Sequence, residues 1–179
     1  MNQDVNQLIE LCKNGDNKAQ FTIYKNYYKA MYNTAFRIVN DSFEAEDVMQ
    51  ESFLSAFTKL NSFSGQVTFG AWLKKIVINN SITTIRKNNK FETIPIEKVV
   101  IKEALEDFSD DCKPNVTEIL EKLSQLKNNY KVALTLNLIE GYDCEEIAQI
   151  MDISYENTRT TISRAKNKLR QLLSQTYAR

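Results

Sequence analysis

The chain has 179 residues, 42% of them apolar, with 23 basic and 23 acidic side chains and no histidine. Two prolines and four glycines are too few for the many turns of a sandwich or barrel, so an all-helical fold is expected, with length for one ordinary core or two small ones. Zero net charge says nothing about partners, while three scattered cysteines without histidine exclude the usual zinc frameworks.

Apolar residues at helical spacing begin with Leu8 and Leu11, then Phe21, Tyr24, Tyr28, Met31, Ala35 and Ile38. They predict two helices broken near Asn14-Gly15-Asp16. Asp41 followed by Glu44 is a capping-box pattern. It opens a helix to about Leu60, with Ala45, Val48, Met49, Phe53, Ala56, Phe57 and Leu60 inward. Asn61 to Gln66 reads as a loop, and Thr68 caps a long helix through Trp72, Leu73 and Ile76 to about Lys87. Its β-branched runs suit a strand locally, but about twenty residues without a breaker exceed a typical strand.

From Asn88 to Pro114 the periodicity fades. Residues 91–114 carry 3 basic and 7 acidic side chains, against 11 and 8 in residues 1–90 and 9 and 8 in residues 115–179. The stretch reads as an acidic linker between two domains, with one short helix near Lys98 to Glu106. Beyond it, Asn115 with Glu118 predicts a capped helix with Ile119, Leu120, Leu123 and Leu126 inward. Asn128 or Asn129 starts another that stops at Gly141. Asp143 with Glu146 caps a short helix to Met151, and Ser154 caps a last one through Ile162, Ala165, Leu169 and Leu172.

Cys12, Cys112 and Cys144 fit idle thiols in a reducing compartment. The N-terminus, with Asp4 and Glu10, has no secretory pattern, and no run approaches the ~18 apolar residues that span a bilayer. A cytoplasmic protein without membrane insertion is expected, and no cofactor or metal is called for.

Three surfaces stand out. Cys144 to about Ser163 has the dimensions of a helix-turn-helix, with Ile147, Met151, Ile153, Thr158 and Thr161 inward. After Glu156 its second helix holds Arg159, Arg164, Lys166, Lys168 and Arg170 with no further acid. Tyr155, Asn157, Arg159 and Thr160 offer groups that read base edges, and the later cations suit phosphates. On the helix after Thr68, Lys75, Asn79 and Arg86 fall within about 40° of one another at 100° per residue. The preceding loop, Phe63, Ser64, Gly65 and Gln66, could hold an unstacked base beside that basic track. Asp47, Gln50, Glu51 and Leu54 make an acidic stripe with one apolar residue, which would repel DNA and suits a protein partner.

The segments Ala35 to Val39, Ala45 to Phe53 and Phe69 to Lys87 resemble region two of the extracytoplasmic-function sigma factors of the sigma-70 family. Leu138 to Ala148, Ile153-Ser154 and Arg164-Ala165-Lys166 resemble region four. The resemblance implies two small helical domains, residues 1–90 and 115–179, joined by the flexible linker 91–114. It implies docking on core RNA polymerase through Asp47, Gln50, Glu51 and Leu54, and capture of the minus-ten element by Phe63 to Gln66 with Lys75, Asn79 and Arg86. It further implies reading of the minus-thirty-five element by Tyr155, Asn157, Arg159, Thr160 and Arg164. Promoter DNA, core polymerase and an anti-sigma protein are the partners it suggests, with no active site. The sequence departs from the family pattern at Thr83, often an aspartate, at Lys127, often a proline, and at Glu156-Asn157, often Gly-Thr. The last departure bears on promoter preference.

Two rival readings remain. A stand-alone regulator would bind operator DNA through the helix-turn-helix and use residues 1–90 as a ligand or dimer domain; a helical interaction module would show no salt-sensitive nucleic-acid binding.

Overall fold

The computed structural model describes residues 5–88 and 115–177. All regular structure among the described residues is helical. The chain divides into two compact units, Met1–Asn89 and Lys90–Arg179. The acidic linker and the short helix expected near Lys98 to Glu106 lie outside the described residues.

The first unit holds α1 (Val5–Lys13), α2 (Asn17–Val39), α3 (Ser42–Thr58) and α4 (Phe69–Lys87). Helices α2, α3 and α4 pack mutually, and α1 lies on α2. Asp16 caps α2, accepting from the Lys18 and Ala19 amides at 2.8 and 3.0 Å. Asp41 does the same for α3. In α4, Leu73, Val77, Ile78, Ser81, Ile82 and Ile85 are buried. That spacing belongs to a helix, so tertiary burial decides against the local strand preference of the β-branched residues. Three small side chains, Ala35, Ser52 and Ser81, are wholly buried in this bundle. The Ser52 and Ser81 hydroxyls donate to backbone carbonyls four residues back, and Asn80 donates to Ser52 Oγ at 3.0 Å, tying α4 to α3.

Several local expectations need correction. Leu11 and Phe21 face solvent, at 41% and 62% exposure. The buried sides are instead Leu8, Ile9 and Cys12 in α1, and Ala19, Ile23 and Met31 onward in α2. Aromatic residues surround so much of α2 that their spacing alone does not mark its inner face. Helix α3 ends at Thr58, and Leu60–Ser62 forms a 3₁₀ turn that still buries Leu60. Glu44, expected to close a capping box, accepts through Oε1 from Asn88 Nδ2 at the end of α4 (2.9 Å).

The second unit holds α5 (Val116–Ser124), α6 (Asn128–Leu134), α7 (Cys144–Met151) and α8 (Tyr155–Tyr177). Helices α5, α6 and α7 all pack on α8. Leu120, expected inward, is 37% exposed, whereas Leu123 and Leu126 are buried. Helix α6 runs into a π-helical turn, Thr135–Ile139, which no sequence pattern announced. The turn closes with the Glu140 amide donating to the Thr135 carbonyl, and Gly141 follows with φ +80.

Candidate nucleic-acid and protein interfaces

Because Ala45, Val48, Met49, Ser52, Phe53 and Ala56 turn inward, the opposite side of α3 must face solvent. Asp47, Gln50, Glu51 and Leu54 are all exposed there, and Leu54 is 69% exposed. Phe43, which the sequence reading passed over, is 80% exposed. It stands one turn before Asp47, so Phe43, Asp47, Gln50 and Leu54 follow i, i+4, i+7, i+11 on one helix face. Two bare apolar side chains thus bracket an acidic and amide centre.

The loop between the 3₁₀ turn and α4 rests on an aromatic cluster. Phe63 meets Phe69 edge-on, with centroids 5.7 Å apart, and Trp72 at 5.4 Å. Tyr27 of α2 meets Phe69 at 5.4 Å. Gly70 makes room for this, since a Cβ there would stand 3.0 Å from the Tyr27 ring. Phe63 is therefore half-buried and supports the loop, while Ser64, Gly65 and Gln66 are exposed. An open pocket of about 600 Å³ is lined by Phe63, Gly65, Gln66, Thr68 and Phe69, with Asn6 of α1 forming part of its wall. Asn6 could not be found from sequence, because only the fold brings α1 to this loop. Thr68 Oγ1 accepts from the Ala71 amide at 3.3 Å and starts α4. On that helix Lys75, Asn79 and Arg86 are exposed together, as their spacing predicts.

Gly65 has φ +75 and open space around its missing Cβ. Gly65→Ala is thus expected to cost about 1–2 kcal/mol through backbone conformation alone. Thermal unfolding followed by Trp72 fluorescence measures it, and an unchanged midpoint would mean that the loop relaxes at no cost.

In the second unit, Asp143 and Glu146 form a complete capping box at α7: the Glu145 and Glu146 amides donate to Asp143 Oδ1, and the Asp143 amide donates to Glu146 Oε2. Asp152 ends α7 in the left-handed region, φ 51, and the Ile153 amide donates back to the Ala148 carbonyl at 3.1 Å. Ser154 Oγ then accepts from the Asn157 amide at 3.2 Å and opens α8. Ile147, Met151, Thr158, Thr161, Ile162 and Ala165 are buried, giving the helix-turn-helix a sealed crossing. Tyr155 and Arg159 are exposed, with the guanidinium 5.9 Å from the tyrosine ring centre. Asn157, Thr160 and Arg164 are half-buried. At 100° per residue these five flank the outward side of α8 in two groups, Tyr155 with Arg159 and Asn157 with Thr160 and Arg164.

Among the described residues no group of histidine, cysteine or acidic side chains could hold a metal ion. No described helix is long and apolar enough to cross a membrane. Burial, then the nearby Asp16 charge, push the Cys12 thiol up from its ordinary range, which makes it a poor nucleophile. Cys144 is half-buried, and Cys112 lies outside the described residues.

The chain is similar to known proteins over most of its length. Residues 23–91 match Sigma-70 region 2 and residues 117–169 match Sigma-70, region 4, together more than half of the chain. The RNA polymerase sigma-H factor of Pseudomonas aeruginosa is 29% identical over 93% of this chain and 92% of its own length. The ECF RNA polymerase sigma factor SigW of Bacillus subtilis is 28% identical over 97% of this chain and 98% of its own. Among solved structures, the sigma factor RpoE in complex with the anti-sigma factor NepR, from Bartonella quintana, superposes with TM-score 0.57 at 23% identity, covering 86% of this chain and 95% of that one. CnrH in complex with the cytosolic domain of CnrY gives 0.55 at 20% identity, over 96% and 98%. The chain belongs to the extracytoplasmic-function sigma factors of the sigma-70 family.

Proposed function

We propose that this sigma factor, which directs core RNA polymerase to promoters and assists their melting, divides the task among the three surfaces described. The outer face of α3, Asp47, Gln50, Glu51 and Leu54 with Phe43, docks on the polymerase. The loop Phe63, Ser64, Gly65 and Gln66 receives a flipped base of the minus-ten element in its pocket, with Phe63 buttressing the loop. Lys75, Asn79 and Arg86 of α4 then follow the strand. Helix α8 enters the major groove of the minus-thirty-five element with Tyr155, Asn157, Arg159, Thr160 and Arg164. Residues 1–90 and 115–179 act as the two DNA-binding domains and 91–114 as the linker that spaces them.

The observation that carries this reading is the order of exposed features along one small bundle: an acidic and apolar helix face, an open loop pocket, then a basic helix stripe. Acid repels DNA and suits a protein, whereas lysine, asparagine and arginine beside a pocket suit an unpaired strand. Sigma factors are initiation factors rather than enzymes; this chain supplies no catalytic group, and the polymerase performs the chemistry. We place it in the cytoplasm. The sigma factor RpoE of Bartonella quintana, which has the same fold, forms a complex with the anti-sigma factor NepR, and an anti-sigma partner is proposed here too.

Reconstituted transcription tests the whole. The chain with core polymerase is expected to give promoter-dependent initiation and to footprint little DNA alone, since each face is small and their spacing depends on the polymerase. A footprint on an operator without polymerase, and no initiation with it, would overturn the reading. Within it, Arg159→Ala is expected to lose about 1–3 kcal/mol of discrimination at one minus-thirty-five base pair. The slope of affinity against salt should change by about one phosphate contact at most. Equal binding to all four bases before and after the substitution would exclude Arg159 from base reading.

A further inference from the structure

The DNA-facing side of α8 contains an anomaly. Thr158, Thr161, Ile162, Ala165 and Leu169 are buried and at 100° per residue occupy an arc of about 100°. Within the first two turns of α8, the residue nearest the middle of the opposite, outward arc is Glu156, with Arg159 to one side and Thr160 to the other. Glu156 is exposed, and it is the only acidic residue of the 23 in α8. A carboxylate at that place would face the polyanion that Arg159, Arg164 and the later cations attract. It also stands at the second position of the helix, with the Ser154 cap immediately before it.

An acid in the first turn favours the helix by complementing its dipole. That accounts for a glutamate at the helix start but not for one aimed at DNA, where the dipole gain is opposed by phosphate repulsion. The repulsion is avoided if the carboxylate lies between the phosphate rows, on the groove floor, and accepts a hydrogen bond there. In the major groove the exocyclic amine of cytosine, N4, is the donor that pairs with a carboxylate; guanine offers only acceptors and would be rejected.

We propose that Glu156 is a specificity-determining residue of α8, reading one cytosine of the minus-thirty-five element through its N4 amine. The assignment rests on the reading of α8 as the major-groove helix. It explains why the family's usual Gly-Thr can be replaced here by Glu156-Asn157: the acid trades general affinity for selectivity. Because carboxylates pair with cytosine N4 and carboxamides pair bidentately with adenine N6 and N7, Glu156→Gln should change the base chosen, not only the strength of binding.

The test uses the full chain with core polymerase and a promoter library randomised across the minus-thirty-five element, scored for the wild type, Glu156→Gln, Glu156→Thr and Arg159→Ala with Arg164→Ala. The wild type is expected to select cytosine at one position by about five- to a hundredfold over guanine. Glu156→Gln should shift that position to adenine, and Glu156→Thr should leave it unselected while raising overall affinity. A merely helix-capping role predicts the same base preference in all three, and that result overturns the proposal. If instead the arginine variants leave every minus-thirty-five preference intact, α8 is not the reading helix and both assignments fall.

Discussion

A chain carrying Asp47→Lys and Glu51→Lys is expected to lose promoter-dependent initiation by about a hundredfold while keeping its helix content. Both side chains are exposed and off the core, so the bundle does not depend on them. A partner adapted to an acidic stripe meets two inverted charges, and truncation or reversal at desolvated interfacial pairs costs a few kcal/mol. About 3 kcal/mol corresponds to about two decades in affinity. Capture of the chain by immobilised core polymerase measures it directly, with circular dichroism to check folding. Leu54→Ala and Phe43→Ala should each weaken capture without affecting charge, because truncating a buried apolar anchor removes packing area. Undiminished capture of the double lysine variant would move the docking surface elsewhere.

Ile147→Ala is expected to melt the second unit and leave the first folded. Ile147 is wholly buried at the helix-turn-helix crossing, and trimming such a side chain costs about 2–5 kcal/mol. The described part of that unit runs only from 115 to 177, a size at which one core rarely supplies more than about 3–5 kcal/mol. A single truncation therefore takes most of the margin. The protein carries its own control: Trp72 is its only tryptophan and lies in the first unit. Far-ultraviolet ellipticity should fall while Trp72 emission and its unfolding midpoint stay put, and minus-thirty-five dependence should vanish before polymerase capture does. A single transition, in which ellipticity and Trp72 emission change together, would show that the two units do not fold independently.

What could be read from sequence follows the strength of each physical signal. The helix starts at Asp41, Thr68, Asn115, Asp143 and Ser154 rest on a side-chain oxygen reaching one or two nearby amides, a local matter that spacing exposes. The α3 and α4 stripes were equally legible, because their inner faces are aliphatic and periodic. Helix α2 was not: Phe21 and Tyr24 look as apolar as Ile23, and only packing with its neighbours selects Ile23 for burial. The π-helical turn at Thr135–Ile139 leaves no pattern that an α-helix would not also leave. Phe63 had the composition of a ligand contact but the position of a buttress, which became plain only with Phe69 and Trp72 around it. Glu156 was visible as a departure from its family, yet its place at the middle of the outward face depends on which threonines α8 buries.

The acidic face of α3 and the basic face of α4 also act before anything touches. Two opposite charge layers on one small bundle form an electric dipole, and a dipole feels a torque in the field of a polyanion or of a basic docking site. The first unit should therefore be turned during its approach, so that more of its collisions arrive in a productive orientation. That gain belongs to the rate of encounter rather than to the strength of the finished complex, and it fades as dissolved ions shorten the reach of the field.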